Sequence, residues 1–232
     1  MFAVYKREFR AYMHNVYGWL FMSVLLLFVG FMVFLENLIA GAPFIEYALL
    51  TGEYALILLI PVLCMRSMAE DRRNKTDMFY LSLPLKTSSV VLGKYFALLS
   101  VFALPCAVIA VYPVLLGMFG DVNFAGAYSA VFFFFLLGAA LIAVCQFTSA
   151  LTDNLVVAAV LGAVALLVLL ALPLLEAIIP AMGVLSFVCP FVHFEEAATY
   201  GLFNIRSLIL LLSYPVFFVF LTVRTADKKR WA

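Results

Sequence analysis

Long apolar stretches alternate along this chain with short polar ones. A helix needs roughly 20 mainly apolar residues to cross a hydrocarbon core about 30 Å thick. Six stretches reach that length, at 17–36, 47–65, 94–118, 127–150, 155–179 and 205–223. Glu53 interrupts the first half of the second stretch, which makes it the least regular. The pattern predicts an all-α, polytopic membrane protein with about six transmembrane helices, residues 1–232 forming a single transmembrane domain. Residues 1–16 are too polar to span. Phe2, Tyr5, Phe9, Tyr12 with Met13, and Val16 recur there at spacings of three and four. That spacing predicts an interfacial helix whose basic side is held by anionic membrane lipid. Ala40-Gly41-Ala42 loosely resembles a signal-peptide cleavage site, but it lies beyond Glu36 and Asn37 and after a long polar lead, so no cleavage is expected.

Composition agrees with this pattern. Hydrophobic residues make up 67% of the 232 and charged residues 12%, against about 45–50% and about 25% in soluble domains. The net charge of +1 hides a strong segregation. Lys6, Arg7 and Arg10 lie before the first span, and Arg224, Lys228, Lys229 and Arg230 close the chain. Arg66, Arg72, Arg73, Lys75, Lys86 and Lys94 flank the second linker, and Arg206 stands apart. The other linkers carry Glu36, Glu46, Glu53, Asp121, Glu176, Glu195 and Glu196. Cytoplasmic loops accumulate Lys and Arg, so both termini are expected in the cytoplasm, with the chain as a multi-pass protein of the cell membrane. No basic face is interleaved with aromatics outside the spans, so no nucleic acid is expected as a partner.

Several details qualify the spans. Pro61, Pro105, Pro113, Pro173, Pro180 and Pro215 predict kinks rather than breaks. Ala158, Ala159, Gly162 and Ala163 would let the fifth span approach a neighbour closely, within the chain or across a dimer seam. The run Phe132–Phe135 reads as lipid-facing bulk. Cys64, Cys106 and Cys145 read as small hydrophobes, and Cys189 as a lone residue of an outer loop; no C-x-x-C or zinc spacing occurs.

Catalytic chemistry finds little purchase. The spans hold almost no ionisable residue at mid-bilayer depth beyond Glu53, which disfavours ion-coupled transport. No G-x-x-x-x-G-K-S/T phosphate loop occurs, so the chain is not expected to hydrolyse ATP. His193 beside Glu195 and Glu196 suggests an intramembrane hydrolase. However, the E-E-x-x-x-R pattern of glutamate-type membrane proteases fails, since Tyr200 follows Glu196 by four and the only other His is His14. The pair reads as a solvated outer surface.

The most informative stretch is the segment 66–92. Met65-Arg66-Ser67-Met68-Ala69-Glu70-Asp71-Arg72-Arg73-Asn74-Lys75-Thr76-Asp77 is charged, and Met78-Phe79-Tyr80-Leu81-Ser82-Leu83-Pro84 is amphipathic. Met78, Leu81 and Leu85 recur at helical spacing and Thr76 could cap that half, which predicts an ordered docking element rather than a slack loop. Here the chain resembles permease subunits of ABC-2 type transporters, in particular their gliding-motility-associated branch. Met65-Arg66, Ala69-Glu70-Asp71-Arg72, Thr76-Asp77, Leu81 and Pro84 match the family's M-R-x-x-A-E-E-K/R-x-x-G-T-x-E-x-L-L-x-x-P segment. Lys75 stands where Gly is usual, and Asp replaces Glu at 71 and 77. Val91-Leu92-Gly93-Lys94-Tyr95 is similar to its V-L-G-K-Y/F, and Tyr5-Lys6-Arg7-Glu8-Phe9-Arg10-Ala11-Tyr12 to its interfacial helix. Ser149-Ala150-Leu151-Thr152-Asp153-Asn154 resembles S-x-L-T-E/D-N, with Leu155 where Gln is common, and Pro190-Phe191-Val192-His193-Phe194-Glu195 resembles an outer P-x-x-H-F-E.

The resemblance implies a non-enzymatic permease subunit, expected to serve an exporter, that works with a second permease, identical or homologous, and with separate ATPase subunits. No cofactor is expected on this chain; ATP and Mg would sit on the ATPase. Ala69, Glu70, Asp71, Arg72, Arg73, Thr76 and Asp77 would form a cytoplasmic coupling helix in an ATPase groove. Thr152, Asp153 and Asn154 would make a second, smaller contact. The reading from another class is a membrane anchor or sensor that transports nothing.

Overall fold

The computed structural model describes residues 1–39, 41, 44–73, 87–118, 120–178, 188–200 and 204–230. Helix α1 (Phe2–His14) ends at Asn15, whose extended backbone turns the chain into α2 (Val16–Val33). Phe34–Ile39 prolongs α2 as a π-helical segment. There follow α3 (Ile45–Arg73), α4 (Thr87–Ile109), the short α5 (Tyr112–Leu116), α6 (Phe124–Ser149), α7 (Leu155–Ile178), α8 (Pro190–Tyr200) and α9 (Ile205–Arg230). Among the described residues, six helical stretches are long and apolar enough to cross a membrane, with α5 extending α4. They coincide with the six apolar stretches of the sequence.

Asparagines set three of the starts. The side chains of Asn123, Asn154 and Asn204 accept bonds from the backbone N–H groups of Gly126, Val156 and Arg206 at 3.3, 3.0 and 3.1 Å. Each thereby satisfies a donor that the first helical turn leaves over. Pro61, Pro105, Pro173 and Pro215 lie inside helices, as expected. Pro113 instead opens α5 after the chain leaves α4, where its missing N–H costs nothing. Pro180 is outside the described residues.

Helix–helix association in lipid relies on close surface fit rather than on a hydrophobic driving force. Helix α6 shows this best, for it lies against α3, α4, α7, α8 and α9. Phe133 and Phe134 are fully buried on it and Phe135 stacks on Phe102, so this run is largely interior rather than lipid-facing bulk; only Phe132 is exposed. A side chain at Gly138 would begin 2.1 Å from the Phe102 ring, so the α4–α6 contact requires glycine there. The small residues of α7 serve an intramolecular contact: Gly162 faces Pro61 and Cys145, and Ala158 is buried.

Further expectations fail. Glu53 does not interrupt its span; it is 1% exposed inside a 29-residue α3. Residues 190–200 are not a solvated loop but helix α8, packed on α3, α6 and α9 with Phe191, Phe194, Ala197 and Ala198 buried. Its apolar positions repeat at three and four, a period that the neighbouring Glu and His residues disguise. Cys189 is buried at its start and its thiol donates to the carbonyl of Leu169 at 3.1 Å. Burial pushes that thiol up, so it behaves as a packing residue rather than a reactive one.

Helices α3 and α6 run in the same direction. Glu46 approaches Gly126 at one end, and Met68 meets Ser149 at the other. The first end also carries α8 and is here termed the acidic end. The second carries α1, the last turns of α3 and the start of α4, and is the charged end.

Candidate functional site

The last two turns of α3 organise the charged end. Arg66 donates through Nε and Nη2 to the two oxygens of Glu70, both at 2.6 Å, a forked pair between residues one turn apart. Its guanidinium also lies 4.8 Å from the centre of the Tyr17 ring on α2. One step along the helix, the Ser67 carbonyl and the Asp71 carboxylate both accept from Lys94 Nζ of α4. Lys94 is 3% exposed, and an ammonium so buried needs oxygen partners to offset lost hydration. Glu8 Oε1 of α1 lies 4.0 Å from the same Nζ and pairs with Arg7. Arg7, Glu8, Lys94 and Asp71 thus alternate in sign from the exposed side of α1 into the end of α3.

Uncharged bonds hold the frame around these charges. Ser149 Oγ accepts from the backbone N–H groups of Met68 and Ala69, both at 3.2 Å, and donates to the Met65 carbonyl at 3.3 Å. Gln146 donates to the Val91 carbonyl at 3.1 Å and so ties α6 to α4. The Tyr12 hydroxyl donates to the Leu63 carbonyl at 3.3 Å, and burial pushes its pKa up, which keeps it a donor. Gly93, next to Lys94, is where α1 crosses α4: a Cβ there would meet the Met1 carbonyl at 3.1 Å and Val4 at 3.2 Å.

The expected coupling residues fall in three groups. Ala69, Glu70, Asp71, Arg72 and Arg73 are not a separate helix but the end of the span helix itself. No Gly or Pro occurs between Met65 and Arg73, and the Arg66–Glu70 pair supports the last turns. Ala69 is fully buried, while Arg73 is exposed. Thr152, Asp153 and Asn154 form the turn into α7, with Arg72 Nη1 3.8 Å from Asp153. Thr152 and Asn154 spend their side chains on backbone N–H groups of the turn and of α7. Thr76, Asp77 and the amphipathic half lie outside the described residues. Sequence reasoning missed Glu8, Ser67, Lys94 and Ser149. Lys94 carried a signal, since a cation within an apolar run demands a partner.

The acidic end is built differently. The Glu53 carboxyl is buried close to that of Glu195, and among the described residues its Oε2 has no hydrogen-bond partner. His193 is 2% exposed, its Nδ1 3.5 Å from Ser207 Oγ and 3.8 Å from Glu196 Oε2. Ser, His and an acid side by side suggest a hydrolytic triad. A triad sets the acid and the nucleophile on opposite ring nitrogens; here both face Nδ1 and Ser207 is fully buried. The arrangement is a packed polar contact. Among the described residues no three His, Cys, Asp or Glu side chains are grouped to hold a metal ion.

Six helices long and apolar enough to cross a membrane, found among the described residues with a charged node at one end, define a polytopic membrane protein. The family model for the ABC-2 family transporter protein matches residues 5–225, from α1 through the last span. The chain belongs to that family. A search of curated proteins returned no match.

Proposed function

We propose that this chain is the permease subunit of an ATP-driven exporter, set in the cell membrane with both termini and the charged end in the cytoplasm. Separate ATPase subunits carry ATP and Mg, and a second permease, identical or homologous, completes the pathway. The gliding-motility-associated branch is the one its segments resemble. The observation that carries the coupling role is the meeting of α1, α3, α4 and the 150–154 turn in one charged node. Glu70 and Asp153 leave 34% and 69% of their side chains exposed there, and Arg73 is exposed beside them. Exposed charges of both signs give a docking rim register and specificity.

Transmission follows from the helix. The 29 residues of α3 measure about 43 Å at about 1.5 Å per residue. A push received at Arg73 therefore reaches Glu53 and Glu46 along one continuous element. The apolar face of α1 rests on α4 and α2, leaving Lys6, Arg7, Arg10 and His14 on the opposite side for anionic headgroups.

The decisive experiment is affinity purification from the source membrane in mild detergent. An ATP-hydrolysing subunit is expected to accompany the chain, and Glu70→Ala with Arg73→Ala is expected to weaken its retention. A wild-type preparation that never hydrolyses ATP would sink the transporter reading and leave the anchor.

A further inference from the structure

We propose that Lys94 is a positioning residue for coupling, and that Asp71 is its internal anchor rather than a docking residue. Three observations support this division of the charged node. Lys94 Nζ is held by both the Asp71 carboxylate and the Ser67 carbonyl, which lie one turn apart on α3, so it fixes the rotation as well as the position of that helix end. The ammonium is 3% exposed and the Asp71 side chain 22%, against 34% for Glu70 and 69% for Asp153. The same Nζ lies 4.0 Å from Glu8, so α1 is tied to the end of α3 through α4. Gly93 lets α1 pass close enough for that tie.

The physical consequence is a rigid corner. A helix end that meets an ATPase but is free to roll would dissipate the push in its own rotation. A buried cation bonded at two successive levels of the helix opposes that roll. Glu70 and Arg73 are then held outward while Asp71 faces in. The first two contact the partner, and Asp71 acts on coupling through Lys94. This division rests on the ATPase-coupling reading above, and its tests separate the two.

The complex is purified with its ATPase subunits, placed in nanodiscs, and assayed for subunit retention and for kcat and KM of ATP hydrolysis. For Asp71→Asn the ATPase stays bound, kcat falls about tenfold and KM for ATP is unchanged. Asp71→Glu, which keeps a carboxylate for Lys94, retains most of the wild-type kcat. A purely steric role for Asp71 would not separate the isosteric Asn from the larger Glu in this order. Loss of the ATPase subunit from Asp71→Asn would make Asp71 a docking residue and overturn the proposal. So would a kcat within about twofold of wild type.

A second readout needs no ATPase and stands if the transporter reading falls. The four native cysteines are buried, so nitroxides can be attached at Phe2→Cys on α1 and Leu58→Cys on α3, positions 75% and 69% exposed. The distance distribution between them is expected to broaden in Lys94→Gln and in Glu8→Gln. Unchanged distributions in both variants would show that Lys94 does not tie α1 to α3.

Discussion

At the charged end Lys94 sits between Glu8, Asp71 and the Ser67 carbonyl, whereas at the acidic end Glu53 is buried against Glu195, and His193 against Ser207 and Glu196. The first region balances a buried charge with opposite charge; the second buries Glu53 close to a like group and leaves its Oε2 without a hydrogen-bond partner among the described residues. The two solutions differ in what they tolerate. Removing one partner of a buried ion pair strands the other. A buried carboxyl beside a second carboxyl can be replaced by an amide at little cost, because the amide is neutral and both donates and accepts.

The largest expected effect is therefore at Lys94. Lys94→Met leaves Asp71 facing a surface that no longer neutralises it, and should cost about 3 kcal/mol, the lower range for breaking a buried pair because Asp71 keeps some solvent contact. Thermal unfolding of the detergent-solubilised protein measures this. The double variant Lys94→Met with Asp71→Leu should recover much of the loss, since well-packed apolar residues often replace such pairs without penalty. Failure of the double variant to recover would mean that other partners of Lys94 carry the stability.

Ser149→Ala comes next. Ser149 meets two N–H groups and a carbonyl of α3 with one hydroxyl. Its loss removes the lateral tie between α3 and α6 while leaving the helical bonds of α3 in place. A net hydrogen bond contributes about 1 kcal/mol, so a loss of roughly 1–2 kcal/mol is expected. A neutral Ser149→Ala would move the frame of the node to Gln146 and the helix contacts.

Glu53→Gln tests the acidic end and should change stability by less than about 1 kcal/mol in either direction, since the amide is close in shape and carries no charge to bury. A melting temperature that falls as far as that of Lys94→Met would show that Glu53 is ionised and paired, and the contrast between the two ends would vanish.

The order in which these sites could be read follows the physics of each signal. The six spans were legible because length and hydropathy act over adjacent residues. The continuity of α3 through Arg73 was hidden by its polarity: charged residues were read as a linker where they also make good helix formers. Helix α8 was hidden the same way, its apolar period interleaved with His193, Glu195 and Glu196. At the node, the family segments contain Glu8, Lys94 and Ser149 as well as Glu70, Asp71, Arg72 and Asp153, but nothing in them says which residues pair. Lys94 lies 23 residues from Asp71 and Ser149 lies 80 from Ala69. No local pattern encodes such separations. Only the arrangement of α3, α4 and α6 brings them together.

Asp153 marks the smallest effect on stability and the sharpest separation of roles. Its carboxylate lies 3.8 Å from Arg72 Nη1 and its side chain is 69% exposed. Arg72 leaves only 8% of its side chain exposed, but at that distance the solvated Asp153 is screened by water, so the pair contributes about 1 kcal/mol or less. Asp153→Asn should thus leave the melting temperature unchanged, and the Asn side chain can still accept from Arg72. If the 152–154 turn also meets an ATPase, ATP turnover in the purified complex should fall while stability does not. A parallel loss of both would instead make the turn a brace for Arg72. The exposed side of the node would then consist of Glu70 and Arg73 alone.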